Sequence, residues 1–396
     1  MKLEGLRVLD LSRFLPGPYL TMTLADHGAE VIKIEEPRGG DPSRAIGARE
    51  AGVSVYFRNL NRGKKSLALD LKAAEGRALF LRLAESADVV VETFRPGVAD
   101  RLGIGYDAVR AVNPRLVYCS ISAFGQSGPY RDRPAHDLSV GALAGTVALS
   151  QGADGMPSMP GLPPTDLAAA LLGLSAVLIA LVGRARTGQG DYIDLAMYDA
   201  ALSFLAPVAG QALVEGRAPA PGGDRILGGA ALYRPYRTKD GKHVTLGGSE
   251  PKFLETLLTA LGRPDLVEIG RKPAGPDQAP LHRFLEETFL TRTRDEWTAW
   301  FEGRDICFAP VLDMVEAFEN PNIEARHMLV PHEGGGRQLG VAIKYAQEPG
   351  RAAPHAPALG EHSEAIAAGL GYDAATIAAL KAKGVLGAAQ VQGKAG

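Results

Sequence analysis

The chain has 396 residues, 46% hydrophobic and 22% charged, the composition of a globular protein long enough for two domains. Its 43 basic and 45 acidic residues nearly cancel. That excludes a nucleic-acid-binding surface or one held on an acidic membrane, and leaves small anions as partners for local basic clusters.

The first 120 residues alternate short apolar strands with helices. "LRVLDLS" reads as a strand, "YLTMTLADHG" as a helix ending at glycine, and "EVIKIEEP" as the next strand. "SLALDLK", the amphipathic "AEGRALFLRLAES", "DVVVETF", a short helical pair and "RLVYCSIS" follow. Strands joined by helices of this length pair in parallel, which predicts an α/β fold with a doubly wound sheet and a ligand site beyond the strands' carboxyl ends. The uncharged run Leu167–Gly183 is rich in Ala and Gly and falls short of the ~20 residues that span a bilayer. It is expected to be a buried core helix of a protein without membrane attachment. A Pro- and Gly-rich linker over 214–229 leads to a hairpin, "LYRPYRTKDGKHVTLGG", with Asp240-Gly241 at its turn. Three helical segments complete a smaller α+β domain over 230–317. The expected organisation is a large domain over 1–213, completed by 325–396, with 318–396 as return linker and closing segment and the last ten residues frayed.

The opening "MKLEGLRVLDLS" has no apolar run that would make a signal peptide. Cys119 and Cys307 lie in apolar surroundings with no Cys/His metal spacing anywhere, so no metal is expected and both read as buried thiols of a reducing, cytoplasmic compartment. The first strand–helix turn, "SRFLPGP", lacks the glycines of a dinucleotide-binding turn, which argues against nicotinamide chemistry. Arginines recur near successive strand ends: Arg38, Arg58, Arg62, Arg95 and Arg101. Each alone reads more readily as a solvated surface charge, but their recurrence after successive strands points to a nucleotide-phosphate site.

Three further residues have two readings each. His136, in "RPAHDLSV", either caps a helix or serves as an acid or base. Asp166, in "LPPTDLAAALLG", either stabilises a helix N-terminus or reacts. Glu250, in "LGGSEPKF", starts a helix behind Ser249, and the two glycines before it suggest that something approaches the backbone closely.

In order along nearly the whole chain, "LRVLDLSRFLPGPYLTMTLADHGAEVIKIEEPRGGDPSR", "VVVETFRPGVADRLGIGYDAVRAVNPRLVYCSISAFGQSGPY", "RTGQGDYIDLAMYDA" and "CFAPVLDMVEAFENPNI" resemble the class III CoA-transferase superfamily. Within it the chain looks most like the α-methylacyl-CoA racemases. The resemblance implies a Rossmann-like large domain, a small domain, and a homodimer of two chains threaded as interlocked rings. It implies an acyl-CoA thioester substrate, with coenzyme A entering as part of that substrate and no permanently bound cofactor. Arg38, Arg58, Phe94, Arg95 and Arg101 are the implied CoA contacts.

In the racemase reading, His136 and Asp166 are bases on opposite faces of the α-carbon, Glu250 orients the imidazole, and helix-start N–H groups near Asp166 hold the enolate. The alternative is a CoA-transferase in which Asp166 is a nucleophile, passing through a mixed anhydride and an aspartyl-CoA thioester. A non-catalytic acyl-CoA-binding protein is the remote third reading.

Overall fold

The computed structural model describes residues 1–152 and 154–389. The frayed end expected over the last ten residues lies outside the described residues from Gln390 onward. The chain divides into two compact units. The first comprises Met1–Ala144, Leu162–Phe204 and the segment from Pro321; the second comprises Gly145–Gly161 and Leu205–Asn320.

In the first unit, six strands form one sheet: β1 (Arg7–Asp10), β2 (Glu30–Glu35), β3 (Lys65–Ala68), β4 (Val89–Glu92), β5 (Val117–Ser122) and β6 (Tyr192–Ala196). Every neighbouring pair is parallel, in the order β3-β2-β1-β4-β5-β6. Continuous apolar runs such as "VVVE" suit strands covered on both faces, and all four residues of β4 are buried. The order reverses between β1 and β4, and crevices for ligands open at such a switch point. The helices used below are α1 (Pro16–Asp26), α2 (Val55–Asn61), α3 (Ala74–Ala84), α4 (Val98–Leu102), α5 (Tyr106–Val112), α6 (Asp137–Leu143), α7 (Pro164–Thr187) and α8 (Met197–Ser203).

The long apolar helix appears as α7, but only one face of it is buried. Ala168, Ala169, Ala170, Gly173 and Val177 pack inward. A Cβ on Gly173 would stand 2.8 Å from Leu20 and 3.1 Å from Leu195, so its small size lets α1 and β6 close on the helix. Leu171, Ile179 and Val182 on the other side are 45%, 71% and 74% exposed. By length and composition alone α7 is apolar enough to cross a membrane.

The segment from Pro321 returns to the sheet edge at β3. There Ala68 N–H donates to Ser363 Oγ at 3.0 Å, and Gly387 N–H donates to Ala68 O at 2.9 Å. This covers edge groups that β3 would otherwise leave unpaired.

The second unit holds the expected hairpin, β7 (Tyr233–Arg237) with β8 (His243–Gly247), and a third strand, β9 (Phe308–Pro310). Gly241 takes φ 77° at the turn. α9 (Pro251–Ala260), α10 (Ala279–Phe289) and α11 (Arg294–Phe301) pack around Tyr236, Phe289, Trp297 and Phe301. The sequence assigned 145–161 and 205–213 to the large domain, whereas by compactness both fall in the second unit. Among the described residues neither stretch contributes a buried side chain. Cys119 is buried as expected; Cys307, immediately before the edge strand β9, is exposed rather than buried.

Candidate active site

A cleft of about 520 Å³ opens at the carboxyl ends of β1 and β4, at the switch point of the sheet. It is lined by the turn Leu11–Phe14 after β1, by Thr93–Pro96 after β4, by Arg131 and Arg133–His136, and by Asp166. The turn after β1 is tight. A Cβ on Gly17 would stand 2.1 Å from the Ser12 side chain, and Phe14 sits at φ 60°. Gly17 therefore serves the chain's own fold-back rather than a pyrophosphate.

Buried charges hold this turn from below. Lys33 Nζ donates to Ser12 O at 2.8 Å and pairs with Asp41 Oδ2 at 2.8 Å, both side chains being essentially inaccessible. Lys64 Nζ contacts Asp10 Oδ2 at 2.8 Å, and Asp10 Oδ1 accepts from Ser12 N and Oγ. Lys64 and Lys33 hold the Asp10 carboxyl well below its ordinary pKa despite full burial. Buried ions are tolerated only when paired in this way.

Asp166 stands in the first turn of α7, after Pro163 and Pro164, and is partly buried. Its carboxyl accepts no hydrogen bond among the described residues. Burial, and secondarily the charge of Asp137, push its pKa up to about 7. The capping role weighed for Asp166 is filled by Asp137 instead. Asp137 Oδ1 accepts from Thr165 N at 2.7 Å, Thr165 Oγ1 at 2.6 Å and Asp166 N at 3.0 Å. Those amides were the expected enolate donors, and the protein has already spent them on its own carboxylate.

His136 precedes α6 as its N-cap and is exposed at the cleft wall. Its ring meets Phe14 edge-on, with centroids 6.0 Å apart. Structure thus brings His136 and Asp166 into one cleft. Glu250 belongs to the second unit, where it is exposed at the N-cap of α9 and makes no side-chain capping bond. The close approach inferred from its preceding glycines is local: a Cβ on Gly248 would meet Phe253 at 2.6 Å and Cys307 at 2.9 Å.

Phe94 and Arg95 line the cleft. Arg101, on α4, and Arg131 converge on Gly97: their guanidinium nitrogens lie 3.4 and 3.5 Å from where a Cβ would stand. Gly97 takes φ 76°, a conformation natural to glycine. Arg38 is exposed in the turn between Glu36 and Gly40, two residues that line the cleft. Arg58 is placed differently from the expectation. It is 6% exposed, outside the cleft lining, and its Nη1 pairs with Glu50 Oε2 at 2.6 Å. Arg62 is likewise spent, bound to both oxygens of Asp26 at 3.0 and 2.7 Å. Arg58 lies within α2 and Arg62 at its C-cap, both buried, though Arg58 Nε is left without a hydrogen-bond partner.

Arg13, Arg131 and Arg133 also line the cleft and were passed over in the sequence, where nothing distinguished them from surface charges. Also unforeseen was Glu92, 3% exposed at the end of β4. It accepts from Phe94 N at 2.6 Å and from Ser120 Oγ, and burial without a cation pushes its pKa up to about 7. Ser120 Oγ in turn accepts from Gln126 Nε2 at 2.9 Å. This buried chain ties the Phe94 turn to the loop that leads to His136.

Comparison with known proteins gives a consistent family. The sequence profile described as CoA-transferase family III matches residues 3–363. Succinyl-CoA:glutarate CoA-transferase of Homo sapiens is 32% identical, over 97% of this chain and 90% of that protein. Acetyl-CoA:oxalate CoA-transferase of Acetobacter aceti is 35% identical, over 92% of this chain and 94% of that protein. The crystal structure of a CAIB/BAIF family protein from Brucella suis superposes with a TM-score of 0.81 at 33% identity, over 93% of this chain and 99% of that one.

Proposed function

This chain belongs to CoA-transferase family III, and from that premise we propose that it moves coenzyme A from an acyl-CoA thioester to a carboxylic acid, with Asp166 as nucleophile. The observation that carries the reading is the Asp166 carboxyl itself. It lines the cleft, accepts no hydrogen bond among the described residues, and has a pKa pushed up to about 7. A carboxylate of raised pKa is a stronger nucleophile than an ordinary one, and at neutral pH much of it is still ionised. Relatives named for transfer to glutarate and oxalate support this reading over the racemase one, and suggest a short dicarboxylate as the acid.

Asp166 attacks the thioester carbonyl and expels the CoA thiolate, forming a mixed anhydride. The thiolate then attacks the aspartyl carbonyl, releasing the donor acid and leaving an aspartyl-CoA thioester. The acceptor carboxylate attacks that thioester, forming a second anhydride and freeing the thiolate once more. Attack of the thiolate on the acceptor's acyl carbon regenerates Asp166. Every step exchanges a thiolate and a carboxylate at a carbonyl, so no metal or redox partner enters the balance. Arg38, Arg95, Arg101 and Arg131 are assigned to the CoA phosphates, where guanidinium recognition of phosphate is strongest.

The racemase reading keeps one observation in its favour, the presence of both His136 and Asp166 in one cleft. Hydroxylamine trapping separates the two. Enzyme incubated with an acyl-CoA should lose activity to hydroxylamine through derivatisation of Asp166. Asp166→Asn should lose transfer by roughly 10³-fold or more, as nucleophile removal does elsewhere. Enantiomer interconversion without a trappable Asp166 adduct would reverse the assignment. The same reading makes the protein a homodimer, supported by the exposed apolar stripe Leu171, Ile179 and Val182 along α7.

A further inference from the structure

The His-Asp pair in "RPAHDLSV" contains a residue that the chemistry above does not use. Asp137 lies next to His136, yet its side chain serves another helix. The donors at the start of α7 can be counted completely. Pro164 has no N–H, Thr165 and Asp166 donate to Asp137 Oδ1, and Leu167 donates to Pro163 O at 3.2 Å. The Thr165 hydroxyl adds a third donor to the same oxygen. No side chain of α7's own N-cap contributes. Asp166 is the one described residue of α7 that lines the cleft.

We infer that Asp137 is the positioning residue for Asp166: by gathering the first-turn donors of α7 onto one carboxylate oxygen, it fixes the turn that presents the Asp166 carboxyl to the cleft and holds its own charge beside that carboxyl. The role rests on Asp166 being the nucleophile. Charge-assisted bonds to a carboxylate are about twice as strong as neutral ones, which suits a device that must hold one turn rigid. The same arrangement occupies the helix-start amides, so they are closed to a substrate oxyanion. The elements around this turn carry Tyr56 on α2, Asp199 on α8, and His136, Arg131 and Arg133 along the cleft. Of these and Asp137, Asp137 is the charge that raises the Asp166 pKa, whereas Tyr56 feels the charge of Asp166.

The test compares Asp137→Asn, which keeps an acceptor oxygen and loses the charge, with Asp137→Ala, which loses both. Infrared difference titration against Asp166→Asn reads the Asp166 carboxyl without turnover. Its midpoint, near 7 in the wild type, should fall by roughly one unit in Asp137→Asn, as expected when a close like charge is removed. Asp137→Ala should lower kcat by about 10- to 100-fold with KM for the CoA thioester within ~2-fold, as for loss of orientation. Should the Ala variant not fold, the near-isosteric Asn variant carries the test alone. An unmoved midpoint in Asp137→Asn, with the Asp166 adduct still trapped by hydroxylamine, overturns the role of Asp137 only. Absence of any trappable adduct in the wild type overturns the nucleophile reading, while the titration still judges the influence of Asp137 on its neighbour.

Discussion

The backbone N–H of Asp166 donates to Asp137 Oδ1 across 3.0 Å, joining two acids 29 residues apart at the start of one helix. A helix N-terminus ordinarily favours the ionised form of a carboxylate by ~0.3–1 kcal/mol. Here the Asp166 pKa rises from 3.8 to about 7, which corresponds to roughly 4 kcal/mol at 1.36 kcal/mol per unit. Burial and the neighbouring charge therefore outweigh the dipole several-fold. Because only the ionised form attacks, kcat for transfer should rise with pH through about 7 and level off above it. A rate already flat between pH 5 and 8 would contradict this.

His136 separates the two chemistries of the family resemblance. In the transferase it is dispensable, so His136→Ala should retain transfer within ~10-fold, where loss of a general base typically costs 10²–10⁴. The wild type incubated with a 2-methylacyl-CoA in deuterated water, without an acceptor acid, should incorporate no deuterium at the α-carbon. Exchange into both enantiomers, lost in His136→Ala, would favour the racemase.

The arginines divide by how deeply they are held: Arg131 pairs at the surface with the exposed Asp132 at 3.0 Å, whereas Arg58 is buried against Glu50. Arg101→Ala, Arg131→Ala and Arg38→Ala should each weaken CoA binding by ~1.5–3 kcal/mol, the range for hydrogen bonds to charged groups. Arg58→Ala should leave CoA affinity within ~2-fold and instead lower the unfolding midpoint, since its partner is Glu50. Isothermal titration with CoA, alongside denaturation, measures both.

Glu92 makes stability depend on pH. Its pKa rises to about 7 on folding, so the folded state holds its proton longer than the unfolded chain does. Stability should therefore be fullest below pH 4.5 as far as this group is concerned, and should fall as pH climbs towards 7. A rise from 4.5 to about 7, at 1.36 kcal/mol per unit, puts the loss at roughly 3 kcal/mol. Glu92→Gln should shrink the difference between unfolding free energies at pH 5 and pH 8 by roughly half, leaving the comparable share from Asp166, whose pKa also rises to about 7. An unchanged difference would mean that Glu92 titrates as an ordinary surface acid.

The exposed stripe on α7 gives the proposed dimer a direct test. Light scattering should find twice the mass of the 41.7 kDa chain at micromolar concentration. Ile179→Lys with Val182→Lys, at sites 71% and 74% exposed in the single chain, should shift the population towards monomer. A wild-type monomer would leave the stripe without this occupant.

The sequence alone determined the elements of the sheet and the small unit's hairpin, because those signals are local. Runs such as "VVVE" bury themselves on both faces, and Asp240-Gly241 bends the chain whatever surrounds it. It also marked His136, Asp166, Phe94 and Arg95, all of which line one cleft in the folded chain. Only tertiary structure decided which charges are free. Arg58 and Arg62 look the same in sequence as Arg95 and Arg101, yet folding buries the first two and pairs them with Glu50 and Asp26. Asp137 was visible as half of a His-Asp pair, but nothing local says that its carboxylate caps a helix beginning at Pro164. A residue's charge is written in its side chain. Its availability depends on which partners lie within hydrogen-bond reach and how much water remains, and the packing of distant segments sets both.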